Sequence, residues 1–244
     1  MQILLCSTIR LHIVGSIVYG WARLHRGDTM TKKNNNISEL RDQIINFFPS
    51  YYMTLISIIQ ATALGYLLYN VSQQVTAVFS DFPLLLIYLI TFFVIMIVWY
   101  EYMMGSASLR WMPTILDSVI PFTLGIGQFS LILAVYNKLY CWWYFSLSFV
   151  CFVSFFAYLN MYVGANKLSE YNKINAMVLD ELKNYPKINY SFTLGYLIVF
   201  FCFGYIEFMR NNKSVFFIYL TLGLMIVFFI RGCWYWHRIT RLIK

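Results

Sequence analysis

Charge is what this chain has least of. Of its 244 residues only 11% are Asp, Glu, Lys or Arg, against about 25% in an ordinary globular domain. A water-soluble fold of this length would have no polar coat. It would expose apolar area far beyond the few hundred Å² that soluble monomers tolerate. Histidine is also scarce. His12 and His25 lie near the N-terminus, and His237 sits close to Arg238 and Arg241 in a basic tail. No apolar segment therefore carries a histidine to activate a serine. There is no His-Glu-x-x-His zinc motif and no glycine-rich loop to cradle phosphate. The five cysteines, Cys6, Cys141, Cys151, Cys202 and Cys233, are scattered and contain no Cys-x-x-Cys pair, so neither a zinc site nor a redox motif is supported. Most lie in apolar runs, where cysteine behaves as a small hydrophobe. These absences point away from an enzyme and from a bound metal or cofactor.

What the chain has is apolar length: 60% of residues are hydrophobic and 20% aromatic. Six stretches meet the requirement of about 20 apolar residues to cross a hydrocarbon core of about 30 Å. They run from Ser50 to Val71, Phe82 to Tyr102, Met112 to Tyr136, Tyr140 to Val163, Tyr190 to Met209 and Val215 to Tyr235. Each must be helical, because an isolated strand leaves its backbone groups unpaired in lipid. Tyr51, Tyr52, Trp99, Tyr100, Trp111, Trp142, Trp143, Trp234 and Trp236 crowd the ends, as an interfacial aromatic belt would. The predicted fold is an all-α, polytopic helical bundle in the membrane.

The basic residues orient it. With the N-terminus inside, the cytoplasmic side carries fifteen of the 18 Lys and Arg residues. Only Lys138, Arg210 and Lys213 face outward. By the positive-inside rule both termini are cytoplasmic. The net charge of +8 then reads as a basic inner face beside anionic lipid. Direct nucleic-acid binding is not expected, since no binding motif accompanies the charge.

Residues 1–29 read as an N-terminal extension before a second possible start at Met30. The apolar run from Ile3 to Trp21 is interrupted by Arg10 and His12 and lacks the form of a signal peptide. An interfacial helix or a seventh span are the alternatives, the latter placing Arg10 in lipid at a cost of about 2.5 kcal/mol or more. Residues 30–49 have apolar spacing for an amphipathic surface helix, with Asn36 or Ser38 available as its cap. Spans one to four then occupy 50–165, and spans five and six 190–236, with a basic tail at 237–244. Between the two sets, residues 166–189 form a polar cytoplasmic segment with helical spacing, ended by Pro186. It either continues span four or forms a separate helix. Lys173, Asp180, Glu181 and Lys183 lie on its polar faces and are the candidate docking residues for a cytosolic partner.

Ionisable groups within spans default to functional hypotheses. Glu101 ends span two, Arg110 sits in the following loop, and Asp117 enters span three, forming a candidate charge cluster at the inner mouth. Glu207 and Arg231 are the other charges in spans, and Gln60 and Gln128 are deeper polar groups. Pro121 removes the amide that would bond to the Asp117 carbonyl, and Gly125 and Gly127 follow. A carboxylate beside a freed carbonyl resembles the broken helices that coordinate ions in transporters. A structural pair between Asp117 and Arg110 is the competing reading. Near the outer surface Glu207 is placed to pair with Arg210. Gly195, Gly204 and Gly223 would allow close helix contact.

The run from Trp99 to Gln128 is the most distinctive. It reads Trp-Tyr-Glu-Tyr, then Arg-Trp-x-Pro-Thr-x-x-Asp-x-x-Ile-Pro-Phe, then Gly-x-Gly-Gln. This pattern resembles the membrane subunits of the bacterial Kiwa anti-phage defence system. The resemblance implies a non-enzymatic sensor and scaffold in the bacterial inner membrane, which forms homo-oligomers and recruits a cytosolic DNA-binding partner. The alternative expectation is an ion channel or small transporter with a polar path through Asp117, Pro121 and Gln128.

Overall fold

The structure, a computed structural model, describes the backbone of residues 30–108, 115–168, 176–210 and 214–243, and the side chains of 47–48, 50–105, 115–165, 180–210 and 214–241. Residues 1–29, with the expected extension, lie outside the described residues, as do Arg110 and Lys173. The chain divides into two units, Met1–Ile44 and Ile45–Lys244. Of the first, only helical backbone from Met30 onward is described. The second contains the bundle.

Among the described residues there are seven helices: α1 (Met30–Gln73), α2 (Val75–Ser80), α3 (Phe82–Ser108), α4 (Ile115–Tyr136), α5 (Tyr140–Leu168), α6 (Ala176–Arg210) and α7 (Val215–Ile243). All but α2 contain a segment long and apolar enough to cross a bilayer. These segments are Ser50–Gln73, Phe82–Gly105, Ile115–Tyr136, Tyr140–Ala165, Asp180–Arg210 and Val215–Arg241, close to the six spans expected. The outside of the bundle is correspondingly apolar, with Ile126 and Phe216 exposed by 66% and 69%.

The turns at the end that the basic residues predict to face outward (the outer end, opposite the inner end) are locally determined. The side chain of Asp81 accepts the Leu84 amide (3.3 Å) at the start of α3, which satisfies one of the first-turn amides that have no partner within the helix. Pro83 follows in the first turn, where a missing amide is harmless. At the end of α4, Lys138 adopts φ 57°. The Leu139 amide bonds to Ala134 O and the Lys138 amide to Val135 O. That double closure is a Schellman motif, and it reverses the chain into α5 within three residues.

α5 packs against both α4 and α6, while α3 packs against α4 and α7, and α6 also meets α7. α1 lies along α3 and α4, with Tyr52 against Tyr102 and Tyr66 against Phe129. Close approach depends on small residues: a Cβ on Gly125 would come within 2.8 Å of Ile59, and one on Gly127 within 2.8 Å of Val150. Gly204 likewise sits against the Phe145 ring, but Gly195 and Gly223 face open space, so of the three contact glycines expected only Gly204 acts as one.

Two further expectations change. Asn36 and Ser38 lie inside α1 instead of capping a helix that begins beside them. Pro186 does not end a helix; it lies within α6. Proline removes one backbone bond, to the Leu182 carbonyl, but the flanking turn is held by tertiary contacts. Leu182 and Tyr185 pack with Tyr158, Tyr235, Trp236 and Ile239 in a second core cluster at the inner end. Membrane bundles tolerate such interruptions because neighbouring groups hold the helix on either side. Residues 176–189 therefore lead straight into span five. They share one helix with that span, and residues 169–175 lie outside the described residues.

The aromatic belt divides in two. Tyr51, Trp142 and Trp234 are exposed, but Tyr52, Trp143 and Trp236 are buried. Helical neighbours project about 100° apart and residues two apart about 200°, so in the 51/52, 142/143 and 234/236 pairs one ring of each turns to the bundle. Trp143 donates its indole N–H to Thr91 Oγ1 at 3.0 Å, which satisfies its polar atom.

Candidate functional site

The inner half of the bundle holds a half-open cavity of about 120 Å³, with walls from α1, α3, α4, α5, α6 and α7. Both Glu101 and Asp117 line it. The sequence cluster at the inner mouth is thus assembled for its two acids, with Arg110 outside the described residues. Glu101 falls about 20 residues, or ~30 Å, beyond the start of α3, at the far end of its span. Asp117 lies in the first turn of α4, where a carboxylate is favoured by the helix dipole.

Each acid has a built setting. Tyr185 donates its hydroxyl to Glu101 Oε1 at 2.6 Å. Gly232 of α7 lies against the same oxygen: a Cβ there would come within 2.7 Å of it. Tyr185 is itself clamped by Tyr235, stacked at 3.7 Å between ring centroids, and by the edge of Trp236. Asp117 is 2% exposed and accepts a hydrogen bond from Asn160 Nδ2 at 2.8 Å. Burial of an ionised carboxylate is costly unless donors replace its water, and the Tyr185 and Asn160 donors are placed to do that. Around the acids the wall is aromatic and apolar. Tyr52, Tyr102, Tyr158, Tyr196 and Phe228 contribute rings. The Tyr102 hydroxyl is buried and meets the Tyr52 hydroxyl.

The other candidate residues fall elsewhere. Pro121 is buried within α4, and Gln128 is fully buried with both amide atoms unpartnered. The cavity reaches Leu124 but Gln128 does not line it, so the expected polar path is interrupted one turn above the cavity. Glu181 is fastened to α7: it pairs with Arg238 at 2.5 Å, and its carbonyl accepts the Tyr235 hydroxyl at 2.7 Å. Asp180 is exposed and Lys183 half-buried. Arg231 donates to Asn189 Oδ1 at 2.5 Å and lies over the Phe192 ring. At the outer end Glu207 is buried and accepts the Ser214 amide at 2.6 Å, just before α7 begins. Arg210 is exposed, and among the described residues no ion pair joins it to Glu207.

Sequence reasoning passed over Tyr158, Tyr185, Asn160 and Gly232. Asn160 was detectable as a lone amide inside an apolar run. The tyrosines were not, since their partners are remote in sequence. Among the described residues, no group of three or more His, Cys, Asp or Glu side chains is placed to hold a metal ion.

Helix length and composition together define a multi-pass helical membrane protein. Comparison with family models, with curated proteins and with solved structures finds no match.

Proposed function

We propose that this protein is a non-enzymatic membrane sensor and scaffold whose receiving site is the two-carboxylate cavity. One observation carries the reading: six helices contribute to one half-open cavity at one end of the bundle. A ligand there touches elements from every span, so its binding free energy can bias their relative positions. The side of the membrane that the basic residues mark as cytoplasmic is where such a shift would be read. The resemblance of the Trp99–Gln128 run to Kiwa membrane subunits supports the same assignment. It extends it to a homo-oligomer in the bacterial inner membrane with a cytosolic protein partner.

The test is purification of the full chain from its native host in mild detergent, beside Ala157→Phe, which fills the cavity. A stoichiometric cytosolic protein with the wild type, lost from a variant of equal membrane yield, is the expected result. A wild-type protein that purifies without any partner overturns the scaffold reading. A second reading, transport, rests on Pro121 lying between the cavity residues Ile120 and Leu124 in α4. It predicts ligand flux into vesicles reconstituted with the wild type and none with Asp117→Asn.

A further inference from the structure

We infer that the ligand of the Glu101–Asp117 cavity is neutral and apolar, a ring or the end of a hydrocarbon chain of about benzene size. This rests on the cavity being a receiving site and names what it receives.

The polar groups come first, because they are already engaged. Asp117 accepts the Asn160 amide at 2.8 Å and has a further interaction. Glu101 accepts the Tyr185 hydroxyl at 2.6 Å, with Tyr158 and Trp236 beside it and the charge of Arg231 acting on it. The Tyr52 and Tyr102 hydroxyls meet each other. Thr193 bonds to the carbonyls of Asn189 and Tyr190 in its own helix. An arriving ion would have to shed its water for carboxylates whose partners are already in place, so the acids offer it little.

What is left facing the space is hydrocarbon. Val94, Val98, Ile120, Leu124, Met225 and Phe228 bring aliphatic and ring surface from α3, α4 and α7. Wall atoms beside a void lose dispersion partners on one side, and a bundle in lipid depends on such packing for its cohesion. A neutral apolar guest restores those contacts without giving up hydration of its own. Cavities lined by apolar side chains stay dry yet take up such guests. Met225 and Met161 are unbranched and polarizable, so the wall can adjust to the guest's shape.

Size agrees. A cavity of about 150 Å³ accepts benzene, so the 120 Å³ here suits about six carbon atoms. Because the cavity is half-open, a group of that size can belong to a free molecule or to a longer chain, such as the acyl chain of a membrane lipid.

The experiment compares the full chain with Ala157→Phe, which fills the cavity, in phosphatidylglycerol nanodiscs. The thermal unfolding midpoint is read with benzene, with tetramethylammonium chloride and with acetamide. Phospholipid retained after detergent extraction is read by native mass spectrometry. At a tenfold excess over Kd, benzene is expected to raise the wild-type midpoint by about 4 °C more than that of the variant. Taking the difference between the two proteins removes what benzene does to the bilayer. Tetramethylammonium and acetamide are expected to do little to either. Should Ala157→Phe fail to fold, Ser154→Leu narrows the same wall and is expected to weaken benzene about threefold or more. A benzene difference without retained phospholipid supports the inference and assigns the site to a free molecule. Phospholipid kept by the wild type and lost from the variant supports it and assigns the site to a bilayer chain. Tetramethylammonium acting in place of benzene overturns the neutral class, and acetamide doing so overturns the apolar class. No benzene difference together with equal phospholipid retention overturns the inference outright. None of these outcomes decides the scaffold reading, which stands or falls on partner recovery with and without Ala157→Phe.

Discussion

The two ends of the bundle are built on opposite plans. Toward the outer end, helices meet through a glycine contact and a satisfied indole: Gly204 against Phe145, and Trp143 bonded to Thr91. Chain reversals there are fixed by local rules, as at Asp81 and Lys138. Toward the inner end the helices part around a cavity, and charged or hydroxyl side chains occupy the space between them. A membrane bundle gains nothing from hydrophobic burial against lipid, so close packing and interhelical hydrogen bonds must hold it together. Void space is therefore expensive, and the place of the cavity at one end marks where stability has been given up for something else.

Four substitutions sharpen that contrast. The largest effect is expected for Trp143→Ala, which opens a void in the close-packed end and leaves Thr91 without its donor. A loss of roughly 3 kcal/mol is expected, read as an earlier unfolding midpoint in denaturant-containing micelles. An equal loss from emptying a cavity residue such as Phe228 would erase the distinction between the ends. Next comes Tyr185→Phe, which removes the hydroxyl facing Glu101 while keeping the stacked ring. About 1–2 kcal/mol is expected, and Glu101→Gln in the same background should recover most of it, because the acceptor is then uncharged. Without that recovery, the hydroxyl serves some group other than the carboxylate. Arg238→Ala breaks the pair with Glu181, but the Arg238 side chain is 49% exposed. Water screens such pairs, so a cost under about 1 kcal/mol is expected. The smallest change is a gain. Lys138→Gly relieves a left-handed backbone and should stabilise by about 0.5–1 kcal/mol, and a loss instead would show that the lysine side chain has a contact of its own.

Span positions were legible because lipid imposes a length and an apolar composition that no other fold requires. Glu101 and Asp117 were legible for the same reason, as charges where lipid disfavours them. What surrounds them was not. Tyr185 lies 84 positions from Glu101 and Asn160 lies 43 from Asp117, distances over which sequence periodicity carries no information. Pro186 misled because a local rule was outweighed by packing of Leu182 and Tyr185 on α7. The paired tryptophans misled differently: an aromatic ring suits both the interface and the core, and only the helical phase decides between them. Glu207 was legible as a charge near the outer surface, but its acceptance of the Ser214 amide depends on how α7 begins.

Pro186 also gives α6 a mechanical property. Tyr185, which touches Glu101, is the residue immediately before it, and the helix continues inward to Ala176. Those ten residues from Ala176 to Tyr185 form an arm about 15 Å long at 1.5 Å per residue. Proline weakens the helix at the base of that arm by removing its backbone bond. A change of bend of about 10° there would carry the tip by about 3 Å, given the rise per residue. Because Glu181 in that arm is fastened to Arg238 and Tyr235, such a bend would draw the end of α7 with it.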